Sequence, residues 1–161
     1  MDANRREILK AGGGATVMAL AVAAGLLRPE DVFAQAGSWN KAAFDTKTMA
    51  DAVKALGGMP ASENKGVQFT NPTPDIAENG AVVPITVTSS LPKTESIAIL
   101  VEKNPSTLVA MFNMSDSIEP TVSTRAKMGQ SSDVYAVAIT ADGKALFAKK
   151  EVKVTLGGCG G

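Results

Sequence analysis

The chain has 161 residues, 16 Lys and Arg against 16 Asp and Glu, no His, one Cys, one Trp and one Tyr. Balanced charge argues against nucleic acid or an anionic membrane as the ligand, because either selects a basic excess. Without His and with a single Cys there is no zinc finger, iron–sulfur cluster or haem attachment motif, so no metal and no resident cofactor are expected, and the shortage of aromatic rings predicts an aliphatic core.

At the N-terminus Asn4-Arg5-Arg6-Glu7-Ile8-Leu9-Lys10 precede a weakly apolar, Gly- and Ala-rich stretch over 11–27, followed by small residues suited to cleavage after Ala34 or Ala36. The pattern predicts a twin-arginine signal peptide over 1–34, with Arg5 and Arg6 as its export determinant, although Asn4 and Ile8 replace the usual Ser/Thr and Phe. The apolar stretch is near the lower limit for crossing a bilayer and is diluted by Gly12, Gly13, Gly14 and Gly25, so no membrane segment is expected in the mature form. Twin-arginine export carries folded proteins, which places the mature chain in the periplasm and favours a companion subunit exported with it.

The remaining chain, 35–161, is one domain's worth. Phe44, Met49, Ala52, Val53 and Leu56 predict one amphipathic helix over 41–56, closed by Gly57-Gly58 and Pro60. The period then changes to two: 66–70, Val83 to Val87, Ile97 to Val101, Leu108 to Phe112, Val122 to Ala126, Val134 to Thr140 and 145–156 read as strands. Asn79-Gly80, 89–92, Asn104-Pro105 and 129–132 read as turns, and Asp142-Gly143 as a hairpin turn. About seven short strands at this spacing predict an all-β, immunoglobulin-like β-sandwich with an N-terminal helix over 35–156.

The last strand runs into Gly157-Gly158-Cys159-Gly160-Gly161, so the only thiol stands on a strip with no other side chains. Glycine opens backbone shapes closed to other residues and keeps the strip slim, so 157–161 is expected to form a flexible arm presenting a reactive thiol. An unpaired cysteine in an oxidising compartment is either an intermolecular bridge or a reactive group. Cys159 is therefore the candidate covalent attachment site, with Gly157, Gly158, Gly160 and Gly161 giving access. A β-sandwich dimerised through a Cys159 disulfide is the alternative.

Solitary catalysis is not expected. A cysteine hydrolase needs a base beside its thiol, and no His exists to act as one. Met111, Met114 and Met128 are better gap-fillers in an aromatic-poor core than ligands for copper(I). Arg125 and Lys127 are expected on one face of an edge strand, either as solvated surface or as an anion-steering patch.

The leader, the small sandwich and the closing run Lys150-Glu151-Val152-Lys153-Val154-Thr155-Leu156-Gly157-Gly158-Cys159-Gly160-Gly161 together resemble the SoxY family, carriers of the bacterial periplasmic thiosulfate-oxidising (Sox) system. The resemblance implies a heterodimer with a SoxZ-like β-sandwich subunit, with sulfur intermediates held covalently on Cys159. It also implies transient docking to a haem-containing loading complex, a dimanganese hydrolase that releases sulfate and a molybdenum sulfur dehydrogenase. A ubiquitin-like sulfur carrier also ends in Gly-Gly, but bears sulfur on its terminal carboxyl group and is cytosolic.

Replacing both Arg5 and Arg6 with Lys keeps the charge but removes the paired guanidinium groups. The precursor is then expected to stay in the cytoplasm, which fractionation and immunoblotting would check; normal periplasmic delivery would refute the leader assignment.

Overall fold

The computed structural model describes residues 40–115 and 117–156. The expected leader with Arg5 and Arg6, and the expected arm of Gly157, Gly158, Cys159, Gly160 and Gly161, lie outside the described residues.

The alternating aliphatic residues meet between two sheets. The strands are β1 Ser62–Glu63, β2 Val67–Thr70, β3 Ile76–Asn79, β4 Val83–Ser89, β5 Thr94–Val101, β6 Leu108–Asn113, β7 Thr121–Ala126, β8 Ser132–Thr140 and β9 Ala145–Leu156. A larger sheet runs β1-β9-β8-β5-β6, with β3 also paired to β9, and a smaller one runs β2-β4-β7. The sandwich expected from the alternation is present, but with nine strands among the described residues where about seven were expected. The additions, β1 and β3, are short and mostly exposed, so they leave almost no alternation to read.

Val83, Ile85 and Val87 of β4 face Ile97, Ile99 and Val101 of β5 and Val134, Ala136 and Ala138 of β8 in one buried aliphatic cluster. Met128 belongs to the same cluster, and Met114 packs against it. Met111 lies on the opposite face of the larger sheet, in register with Ala98, and is 39% exposed. The three methionines thus do not converge, and two of them fill core space.

The larger sheet is covered on its second face too. Ala98 and Leu100 of β5 and Val137 and Ile139 of β8 bury against Ala43, Ala52 and Val53. Residues 97–101 are therefore apolar without interruption because both faces of their strand are covered.

The covering layer consists of two short helices, α1 Lys41–Phe44 and α2 Met49–Ala55, rather than the one helix expected over 41–56. Thr46 turns its hydroxyl back onto the Ala43 carbonyl at 2.6 Å, and Thr48 is extended and accepts from the Asp51 amide at 3.1 Å. Both hydroxyls thus serve non-helical backbone and start a new helix at Met49. The five-residue step from Phe44 to Met49 falls outside the three- and four-residue spacing of a single helix face. The expected stop after α2 is present: Gly57 has φ +82°, its amide bonds to the Lys54 carbonyl, and the Gly58 amide bonds to that of Val53, a Schellman closure.

Ile99 is fully buried between the sheets. Ile99→Ala removes three heavy atoms and leaves a cavity, at an expected cost of about 2–5 kcal/mol. Urea unfolding would check this, with a lower midpoint and an unchanged slope expected.

Candidate functional site

β9 carries the backbone toward the glycine strip, so its far end fixes where that strip begins. Along 145–152 it pairs antiparallel with β8, the register closing at Ser132↔Val152. Beyond Val152 it outruns β8, and other groups hold it. On the opposite edge β3 runs parallel to it, with Ile76↔Lys153, Ala77↔Val154 and Asn79↔Leu156 in register. The Lys153 amide donates to the Asp75 carbonyl at 2.9 Å and the Thr155 hydroxyl to the Glu78 carbonyl at 3.1 Å. On the β8 side the Val154 amide donates to Ser131 Oγ at 2.9 Å.

A single residue closes this clamp. The Gly80 amide donates to the Leu156 carbonyl at 2.8 Å, while the Gly80 carbonyl accepts from the Met128 amide at 2.7 Å. Gly80 therefore ties the end of β9 to the segment following β7. The Asn79 side chain shapes the turn by accepting from the Ala81 amide at 2.9 Å. β9 is thus hydrogen-bonded up to its last residue, Leu156, whose side chain stands 70% exposed. Cys159 follows three residues later, within about 10 Å at full extension.

At the other end of β9 the Asp142-Gly143 hairpin turn forms as expected. Gly143 has φ +77°, and its amide bonds to the Thr140 carbonyl. There the Asp142 carboxyl is held down to about 2, mainly by hydrogen bonds from Lys144 and Thr140. A rise of ~3.3 Å per residue puts the start of β9, beside this turn, about 36 Å from Leu156, so the carboxylate serves the turn and lies far from the end of the strand.

Two lysines of β9 are engaged with structure. Lys150 reaches the Thr73 carbonyl at 2.9 Å and Asp75 at 3.0 Å. Lys149 pairs with Asp133 at 2.8 Å, a hydrogen bond that raises its pKa, and lies 5.9 Å from the centre of the Tyr135 ring. Burial, followed by the charge of Glu102, raises the Tyr135 phenol above its usual value.

Arg125 lies on β7, opposite Pro84 on the smaller sheet, and is exposed. β7 ends at Ala126, so Lys127 lies just past the strand rather than on the same strand face as Arg125, as had been expected. Among the described residues, no group of three or more His, Cys, Asp or Glu is placed to hold a metal ion, and no helix is long and apolar enough to cross a membrane.

Sequence reasoning missed β3, the strand on which the clamp depends. The available signal was the Asn79-Gly80 turn itself, since a tight turn before the β4 run implies a strand on its other side.

Comparison with known proteins gives a match over residues 53–159 to the family model described as sulfur oxidation protein SoxY. The chain is also similar to the solved structure of the sulfur carrier protein SoxY from Chlorobium limicola f thiosulfatophilum. Identity is 37%, coverage is 66% of this chain and 94% of that one, and the TM-score is 0.59. Fainter likenesses are to superoxide reductase (neelaredoxin) from Ignicoccus hospitalis, at 17% identity, 55% and 79% coverage and TM-score 0.45, and to fibronectin(III)-like modules of Clostridium thermocellum CbhA, at 18%, 55% and 93%, and 0.43. Comparison with the curated proteins gives no match.

Ser131→Ala deletes the acceptor of the Val154 amide. A net loss of ~1 kcal/mol is expected to lower hydrogen-exchange protection at Val154 and Leu156 by about fivefold, leaving the amides of β5 unchanged. Uniform loss across the sheet would show that the clamp is not a separable unit.

Proposed function

The chain belongs to the SoxY family of sulfur oxidation proteins, and from that premise we propose that Cys159 is the residue on which it carries sulfur. A sulfur-carrier role in the Sox system is the function of the chain. The observation that supports the site is the extent of the family match, which runs to residue 159 and so takes in the thiol as its last position. The clamp adds a physical reason: a strand bonded up to Leu156 gives the three residues leading to the thiol a fixed origin.

On this reading the thiol and thiosulfate are joined by a new sulfur–sulfur bond. The thiol loses its proton, and two electrons pass to the haem-containing loading complex. Water then splits the terminal sulfur–sulfur bond of the adduct on the dimanganese hydrolase, releasing sulfate and leaving a persulfide on Cys159. The molybdenum sulfur dehydrogenase then takes electrons from the remaining sulfane sulfur while water supplies its oxygens, and hydrolysis of the sulfonate so formed releases sulfate and returns the Cys159 thiol. The carrier supplies no redox group to any of these steps. Its contributions are the covalent bond, the reach of Gly157 and Gly158, and a slim profile that Gly160 and Gly161 continue past the thiol. Tethering keeps a small anionic intermediate from diffusing away and raises its effective concentration at each enzyme.

The reading includes a periplasmic setting reached through the Arg5–Arg6 leader, and a permanent SoxZ-like partner. Support for a partner comes from the sheet ends. Among the described residues β6 terminates the larger sheet, and β2 and β7 terminate the smaller one. Met111 on β6 is 39% exposed and Ile118 beyond it 53% exposed. Open edges with apolar neighbours favour a second β-sandwich as cover.

Cys159→Ser is expected to leave folding and subunit pairing intact while thiosulfate-dependent turnover of the reconstituted system is lost, with intact-mass analysis showing no sulfur adduct. Replacing Gly158 and Gly160 with Val keeps the thiol but stiffens and thickens the strip. Small reagents should then still label Cys159 while enzymatic loading falls steeply. Full activity of the Ser variant, or a stable disulfide dimer carrying no adduct, would end the carrier assignment of Cys159.

A further inference from the structure

Two loops flank the point where β9 ends, residues 79–83 and 128–132, and neither contains a charged residue. They are joined through Gly80, which bonds both the Leu156 carbonyl and the Met128 amide. Their surface is small and neutral: Asn79, Ala81, Gly129 and Gln130 are exposed. Within it stand Leu156 at 70% and Val82 at 52% exposure, two of the large hydrophobic side chains that the fold leaves in solvent. Exposed Glu78, Lys127 and Lys153 border the patch. An uncharged centre with apolar anchors and a charged border is the composition of a protein-binding surface rather than of ordinary solvated loops.

The length of chain beyond Leu156 determines what must touch this patch. Cys159 is three residues away, a reach of about 10 Å. An enzyme whose reactive centre lies inside a passage can bring that centre to the thiol only if the passage mouth closes on the surface around Leu156. We propose that the collar formed by Asn79, Ala81, Val82, Gly129, Gln130 and Leu156 is the docking surface for the enzymes that process the Cys159 adduct, and that it fits an uncharged, apolar rim around the passage of each. The inference rests on the carrier reading of Cys159. A carrier that must leave one enzyme for the next requires such contacts to be transient.

Val82→Glu and Val82→Arg test the collar with opposite charges at an exposed position, so a shared effect reports loss of apolar contact rather than one electrostatic pairing. Gly129→Glu is a second site. A Cβ there meets nothing within 4 Å, so the carrier itself accommodates the change. Met59→Glu is the control, because Met59 is 45% exposed but bonded to Gly143 at the hairpin end of β9. The measurement is the steady-state rate of sulfur loading and release on the full carrier with its partner subunit, alongside alkylation of Cys159 by iodoacetamide. The KM for the carrier is expected to rise about tenfold in the Val82 and Gly129 variants, with kcat at saturating carrier, alkylation rate and the Met59 control unchanged.

An unchanged KM in both Val82 variants would overturn the proposal while leaving the carrier reading intact. Loss of copurification with the partner subunit, or a changed oligomeric state in the Val82 variants, would assign the collar to a permanent contact and overturn it as well. Failure of the wild-type carrier to take up any adduct would instead remove the carrier reading, and this inference with it.

Discussion

The arrangement depends on β9 being hydrogen-bonded along both edges. β8 supplies one edge from Ala145 to Val152, while β1 and β3 share the other, pairing with Leu146 and Phe147 near its start and with Lys153, Val154 and Leu156 near its end. A strand that outruns its neighbour normally frays, because backbone groups without partners turn to water. Here the outrunning segment is taken up by β3, Ser131 and Gly80. Pairing therefore continues up to Leu156, the last residue of the strand.

Much of the body was legible because its strands are half-buried and alternate. β4 and β8 place aliphatic side chains toward the sandwich at every second position, and the Asp142-Gly143 turn announces the β8–β9 hairpin. β1 and β3 escaped for a physical reason. They pair parallel to β9 through backbone groups, and only Ala77 among their side chains is buried, so neither has a periodic signature. The helical layer was half legible: the apolar positions were right, but Thr46 and Thr48 redirect the backbone between them.

The candidate thiol rests on the opposite kind of signal. Its signature is a matter of residue type, a lone Cys among glycines, and needs no tertiary contact to be recognised. The proposed collar has no such signature, because Val82 and Met128 are far apart in the chain and their loops are brought together by the β4–β7 pairing and the hydrogen bond from the Met128 amide to the Gly80 carbonyl. Reactive groups announce themselves by chemistry, whereas surfaces emerge only when the fold brings separate segments together.

The clamp at the end of β9 also has a mechanical consequence. A load applied to the end of β9 along the strand axis is met by ladder bonds to β8 that lie across it. Such a load shears many bonds together instead of peeling them one after another, and the parallel pairing to β3 adds to the set that must yield at once. Forced opening is governed by the unfolding rate, and a simultaneous shear keeps that rate low. A singly paired edge strand under the same load would unzip from its tip, so the body gains durability from the direction in which its last strand is bonded.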